Sequence, residues 1–320
     1  MHCQFDAKHI KLTYYYICGY MITKYKAHIA VLIANLFFGA GVAAVKHITP
    51  GMMPPFAVNM SRVCVALVLF WLLLLFKPTK IGINKKDIPR FLICGLCGVG
   101  INQIFFIKGA SLTSPIHVSL LALSTPIAIT IIAAWLLKER LTHNKILGLL
   151  LGICGAATLI FSRASNASGH DMLLGDVFII LNAVSYAFYL VLVRPLMATY
   201  SPIHVIRWVF VFGALVIIPL GFNDFVSTNW LAFGATHWFS LAFVVIGATF
   251  IAYLFIVYGI SKLGASVTGA YVYTQPVFAT VTAMLLFNEQ LSFIKILAAI
   301  LIFSGVFLAN KKRAIDTVVE

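Results

Sequence analysis

The chain has 320 residues, of which 62% are hydrophobic and only 10% charged, with a mean hydropathy of +1.01. A soluble domain carries about a quarter charged residues, so no aqueous core accommodates this composition and lipid is the solvent that fits. The net charge of +14 does not mark a nucleic-acid binder, because the basic residues sit in short segments between apolar stretches rather than in arginine-rich runs interleaved with aromatics.

A membrane-spanning helix needs about twenty apolar residues. Read in chain order, that rule predicts ten spans, near 27–46, 55–76, 90–108, 115–137, 146–162, 174–193, 203–222, 237–259, 265–287 and 293–310. The expected fold is an all-α integral membrane protein. Residues 1–26 are expected to precede the first span as a cytoplasmic leader. The stretch between Lys11 and Lys24 is short, contains Thr13, Tyr14, Tyr15 and Tyr16, and lacks a secretory cleavage pattern. Met21 opens a plain start to the first helix, so residues 1–20 read as dispensable. Residues 312–320 read as a cytoplasmic tail. Cys94 and Cys97 form a CxxC inside an apolar stretch, with no second pair or nearby histidine to complete a four-ligand zinc site. Helix packing explains them better, and no cofactor or metal is expected.

Orientation follows from the basic residues. With the N-terminus in the cytoplasm, seventeen Lys and Arg fall on inner segments and four (Lys46, Lys108, Arg163, Lys295) on outer ones. That bias obeys the positive-inside rule and places both termini in the cytoplasm of a multi-pass cell-membrane protein.

An internal repeat at an offset of 150 residues organises the chain. Pro126 falls on Pro276, Glu139 on Glu289, Leu141 on Leu291, Lys145 on Lys295 and Gly155 on Gly305. The repeats divide the chain at about 27–163 and 173–311. Each holds five spans, an odd number, so the second must lie inverted in the membrane. The charges agree, since Lys138 and Arg140 correspond to Asn288 and Gln290. Inverted repeats typify secondary transporters, whose substrate binds near the midplane between the halves.

The segment Lys138-Glu139-Arg140-Leu141-Thr142, followed by Gly148 and Gly155, resembles the motif that closes each EamA repeat. Asn288-Glu289-Gln290-Leu291-Ser292 with Gly305 is similar, and so is Phe38-Gly39 in the first span, where Phe38 stands in place of the common tryptophan. The resemblance covers residues 27–311. It implies the drug/metabolite transporter superfamily, a five-plus-five inverted fold, and export or uptake of amino acids or other small metabolites.

Pro126 and Pro276 each sit mid-span. A mid-helix proline removes one hydrogen bond and displaces the carbonyl four residues back, here Ala122 and Val272. Such carbonyls are tolerated in a bilayer only against protein or in a wet cavity, so both prolines are expected to break helices beside a cavity; a structural kink is the alternative. Thr268, Tyr271, Gln275 and Thr282 share one helical face by their spacing, opposite Val118, Leu121, Thr125 and Ile132. Asn35, Asn102, Asn182, Tyr186 and Tyr253 add hydrogen-bonding groups from other spans, for substrate or for helix–helix bridging. Glu139 and Glu289 lie at helix ends and read as caps or loop partners. Lys46, Arg62, Arg194 and Arg207 are expected to anchor at the interface by snorkelling, the alternative being contact with a substrate carboxylate or phosphate. Gly148, Gly152 and Gly155 line a close-packing face whose partner is either this chain or a second subunit, leaving the oligomeric state open. The expected partners are a small-molecule substrate and the bilayer. An intramembrane enzyme acting on lipid-linked groups is the runner-up, but its histidines (His28, His47, His117, His204, His237) are scattered singly.

Overall fold

In a bilayer every backbone amide must find its partner within the segment or a closed barrel, and the apolar runs of this chain meet that demand as helices. A computed structural model describes residues 7–49, 51–76, 82–136, 138, 143–161, 169–263, 268, 271–288 and 290–310, with no strand among them. Among the described residues seven helical stretches are long and apolar enough to cross a membrane, and shorter apolar helices accompany them.

The first half holds α1 (Ala7–Ile48), α2 (Pro55–Phe76), α3 (Ile88–Gly95), α4 (Ile101–Leu112), α5 (Pro115–Ala122), α6 (Thr125–Leu136) and α7 (His143–Phe161). The second holds α8 (Gly169–Leu192), α9 (Arg194–Thr199), α10 (Pro202–Ser227), α11 (Ala235–Ala242), α12 (Ala252–Leu263), α13 (Gln275–Phe287) and α14 (Phe293–Asn310). Together they form ten membrane helices, because α3–α4, α5–α6 and α11–α12 are each one interrupted span and α9 is a short extension of α8. The helix of α1 continues back through residues 7–26, the stretch expected to precede it, and its apolar part is Thr23–Ile48.

Proline sets several of the starts. Pro55, Pro115 and Pro202 open their helices, where a missing N–H costs nothing. Ser114 adds a cap to α5 by accepting from the His117 backbone N–H at 3.3 Å. The stops recur between halves. Lys138 and Asn288, equivalent at the repeat offset, both take left-handed backbone conformations, with φ of 54° and 50°. Asn288 directly follows α13 and ends it as a residue in that conformation does at a C-terminus. Interruptions recur too. A π-helical turn at Leu96–Gly100 joins α3 to α4, and a longer one at Phe243–Ile251 joins α11 to α12; the two overlap at the repeat offset.

Equivalent helices of the two halves pack antiparallel, which is the inversion expressed in contacts. Gly221, late in α10, meets Phe56 and Met60 at the start of α2, while Trp71 and Trp208 meet at the opposite ends of the same pair. Along α7 and α14, Gly155 packs on Ala298 and Ile302 and Gly305 packs on Gly148 and Gly152. The glycine face of the fifth span therefore meets the tenth span of the same chain.

Two main apolar clusters close the bundle. One gathers Ile48, Met53, Val58, Ile107, Ile116 and Leu241, the other Val63, Phe70, Phe91, Val193, Val205 and Phe210. Along α2, Val58 belongs to the first and Val63 to the second, and Arg62 lies at the boundary. The outer surface is largely apolar, with Leu75, Trp135, Leu285 and Phe307 exposed, as a lipid-facing surface requires.

Candidate functional site

A cavity of about 320 Å³ opens between the two halves. The first half contributes residues of α1, α2, α4, α5 and α6. The second contributes residues of α8, α12 and the segment leading into α13. Most of its wall is apolar, including Phe38, Phe106, Ile129, Leu190 and Ile256, with a limited set of polar groups.

The proline breaks shape this wall. The helix stops at Ala122, turns through Leu123 and Ser124, and restarts at Thr125 with Pro126 in its first turn. In the second half a 3₁₀ turn over Tyr271–Thr274 gives way to α13 at Gln275, again with Pro276 in the first turn. Ala122, Thr125 and Pro126 line the cavity, as do Val272 and Gln275. Both residues whose carbonyls the prolines displace thus face the cavity, where a freed acceptor is tolerated.

Seven of the nine side chains singled out in the sequence line the cavity: Asn102, Thr125, Asn182, Tyr186, Tyr253, Thr268 and Gln275. Asn102 and Asn182 also tie α4 to α8. Asn102 Nδ2 donates to the Asn182 carbonyl at 3.1 Å, and Asn182 Nδ2 donates to the Asn102 carbonyl at 2.9 Å. Asn35 stands behind the wall, fully buried, donating to the Val31 carbonyl at 2.7 Å and accepting from Gln275 Nε2 at 2.8 Å. It positions Gln275 rather than facing the cavity.

Tyr271 is a correction. Its hydroxyl lies 2.7 Å from His28 Nδ1 and it is not among the lining residues, whereas its neighbour Tyr273 is. The cause is the 3₁₀ turn. Three residues per turn rotate each position by about 120° instead of about 100°, so α-helical spacing fails between Thr268 and Gln275. Thr282 also lies off the wall, its hydroxyl donating to the Phe278 carbonyl at 2.6 Å.

Arg62 is a larger correction. Snorkelling would carry its guanidinium to the interface, yet Arg62 is 6% exposed and lines the cavity. Its Nε donates to Thr249 Oγ1 at 3.0 Å. Thr249, itself fully buried, donates to the carbonyl of Val244 at 2.8 Å. That bond reaches back five residues because the segment is a π-helix. Phe106 lies under the guanidinium, with its centroid 5.6 Å from Cζ. Arg207 is also buried, 5.6 Å over the Trp71 ring. Lys46 turns inward to donate to the Ser111 carbonyl at 2.8 Å, and Arg194 alone of the four is exposed.

Sequence reasoning also missed Gln103 and Ser119 on the cavity wall, and a buried cluster beside it. Thr113 donates to Asp176 Oδ1 at 2.6 Å and His117 Nδ1 lies 3.0 Å from Asp176 Oδ2, clasping the α4–α5 corner to α8. No motif joins these residues, which come together only through the packing of α8 on α4 and α5. Glu139 and Glu289 lie outside the described residues.

Comparison with known proteins places this architecture. The model of the EamA-like transporter family matches residues 25–161 and again residues 173–311. The chain belongs to the EamA-like transporter family. It is 23% identical over 289 residues to the uncharacterized transporter YetK of Bacillus subtilis (strain 168), covering 90% of this chain and 87% of that one. It is 25% identical over 233 residues to a probable terminal-alkyne amino-acid exporter of Streptantibioticus cattleyicolor, covering 72% of this chain and 75% of that one. A crystal structure shares the fold with a TM-score of 0.60 at 19% identity, covering 89% of this chain and 96% of the other. Family membership makes the chain a multi-pass membrane transporter.

Proposed function

We propose that this transporter moves an amino acid or a related small metabolite across the cell membrane by alternating access, with export the favoured direction and both termini in the cytoplasm. The observation that carries the reading is the cavity itself. It lies between two inverted halves, is built by residues of both, and is bordered by the helix interruption at each repeat's proline. Rocking one half against the other exposes such a site to each side in turn. The similarity to a protein named as an amino-acid exporter supports the substrate class, and the excess of basic residues on one set of loops supports the orientation. The described lining holds no carboxylate, histidine or cysteine, so an enzymatic reading gains no support there.

Purified protein reconstituted into proteoliposomes is expected to catalyse saturable counterflow of at least one compound from a panel of radiolabelled amino acids and small metabolites. Liposomes without protein supply the baseline. Flux no greater than that baseline across the whole panel would sink the reading.

A further inference from the structure

The transport reading leaves the chemical class of the substrate undefined, and Arg62 narrows it. A guanidinium within the bilayer, nine-tenths shielded, is costly unless an anion or several hydrogen bonds compensate it. The compensation within the protein is incomplete. Arg62 Nε is satisfied by Thr249, the ring of Phe106 lies against the charge, and among the described residues the buried Nη1 has no hydrogen-bond partner. Among the described residues no carboxylate pairs with it. Asp176 is taken up by Thr113 and His117, and Asp87 accepts from the Tyr200 hydroxyl at 2.7 Å. The guanidinium is nevertheless held in a fixed orientation, because Thr249 is anchored through the π-helical segment.

From these observations we infer that Arg62 is the substrate-binding residue for a carboxylate, and that the transported compound is a small carboxylate with an apolar or aromatic body. The inference rests on the transport reading above. With Nε committed to Thr249 and Arg62 lining the cavity, the guanidinium keeps terminal N–H donors for a carboxylate, the partner whose geometry its planar fork matches. Phe38, Phe106, Ile129, Leu190 and Ile256 then enclose the body. A neutral carboxamide of the same shape carries no charge to offset the guanidinium, and its amino group meets a donor with a donor.

The test uses matched pairs in the reconstituted full chain: L-leucine and L-leucinamide, L-phenylalanine and L-phenylalaninamide, 3-phenylpropionate and 3-phenylpropanamide. Counterflow and thermal stabilisation in detergent are both read. In the wild type, at least one carboxylate is expected to be transported and to stabilise the protein about tenfold or more tighter than its amide, the difference of one charge-assisted hydrogen bond. Arg62→Gln should abolish that preference, and Arg62→Lys should retain part of it by keeping the charge. If Arg62→Gln does not fold, the wild-type preference and the Arg62→Lys ratio decide. Equal handling of acid and amide, or a carboxylate preference that survives Arg62→Gln, overturns the inference while leaving transport intact. So does flux confined to compounds that lack a carboxylate. Absence of flux for every compound tried overturns the transport reading, and this inference with it.

Discussion

Individual side chains in this protein divide between holding the wall and facing the cavity, and Gln275 does both. Its Nε2 satisfies the buried Asn35 Oδ1, so Gln275→Leu strips a donor from a fully buried acceptor as well as from the cavity. That change is expected to cost about 1–3 kcal/mol of stability, seen as a lower thermal midpoint in detergent, and to reduce transport per folded molecule. Tyr271→Phe removes a hydroxyl that faces His28 rather than the cavity, and transport per folded molecule should be unchanged. Normal transport in the first variant, or lost transport in the second, would put the polar wall elsewhere. The contrast separates cavity-lining residues that could be read from the sequence from those that could not. Residues on regular helices, such as Asn102, Asn182 and Tyr253, were legible because a polar side chain inside an apolar span has few places to go. Tyr271 was misread because a 3₁₀ turn breaks the α-helical period. Arg62 was misread because snorkelling is the default for an arginine about 10 Å into a span. A threonine from the other half of the chain, on a π-helical segment, and the Phe106 ring under the guanidinium explain why it turns inward.

At the scale of elements, the repeat's glycines and stops have structural roles. A Cβ added to Gly305 would lie 2.5 Å from the Gly148 carbonyl oxygen and 2.6 Å from the Gly152 nitrogen. Both are backbone atoms, which cannot rotate aside. Gly305→Leu is therefore expected to separate α7 from α14 and destabilise the protein by about 1–3 kcal/mol. A thermal melt compared with Gly51→Ala, where nothing lies within 4 Å, checks this. An unchanged midpoint for Gly305→Leu would mean that the two helices do not pack through these glycines. The residue spacing announced a close-packed face, but not its partner, because a glycine stripe is equally suited to a neighbour in the same chain and to a second subunit. Lys138 and Asn288 share a left-handed backbone conformation, and at Asn288 it gives the motif a local meaning as a helix stop. The clasp of Thr113 and His117 on Asp176 had no such signal, since it joins positions about 60 residues apart.

For the molecule as a whole, span count and inversion were the most legible features, because lipid leaves the backbone so few choices and an odd number of spans per repeat forces the second half over. The antiparallel packing of α2 on α10 and α7 on α14 is that parity realised. The cavity between the halves was foreseeable in place but not in charge. Its central functional claim is access from both sides, and Ser119 offers the most direct probe. Ser119 lines the cavity, and its hydroxyl donates only to the Ile116 carbonyl of its own helix, at 2.9 Å. Cysteine in its place preserves size in a background lacking the other cysteines. In membranes of each orientation, a membrane-impermeant thiol reagent is expected to label Ser119→Cys from either side, with transported substrate slowing both reactions. Labelling confined to one side, in the presence and absence of substrate, would contradict alternating access through this cavity.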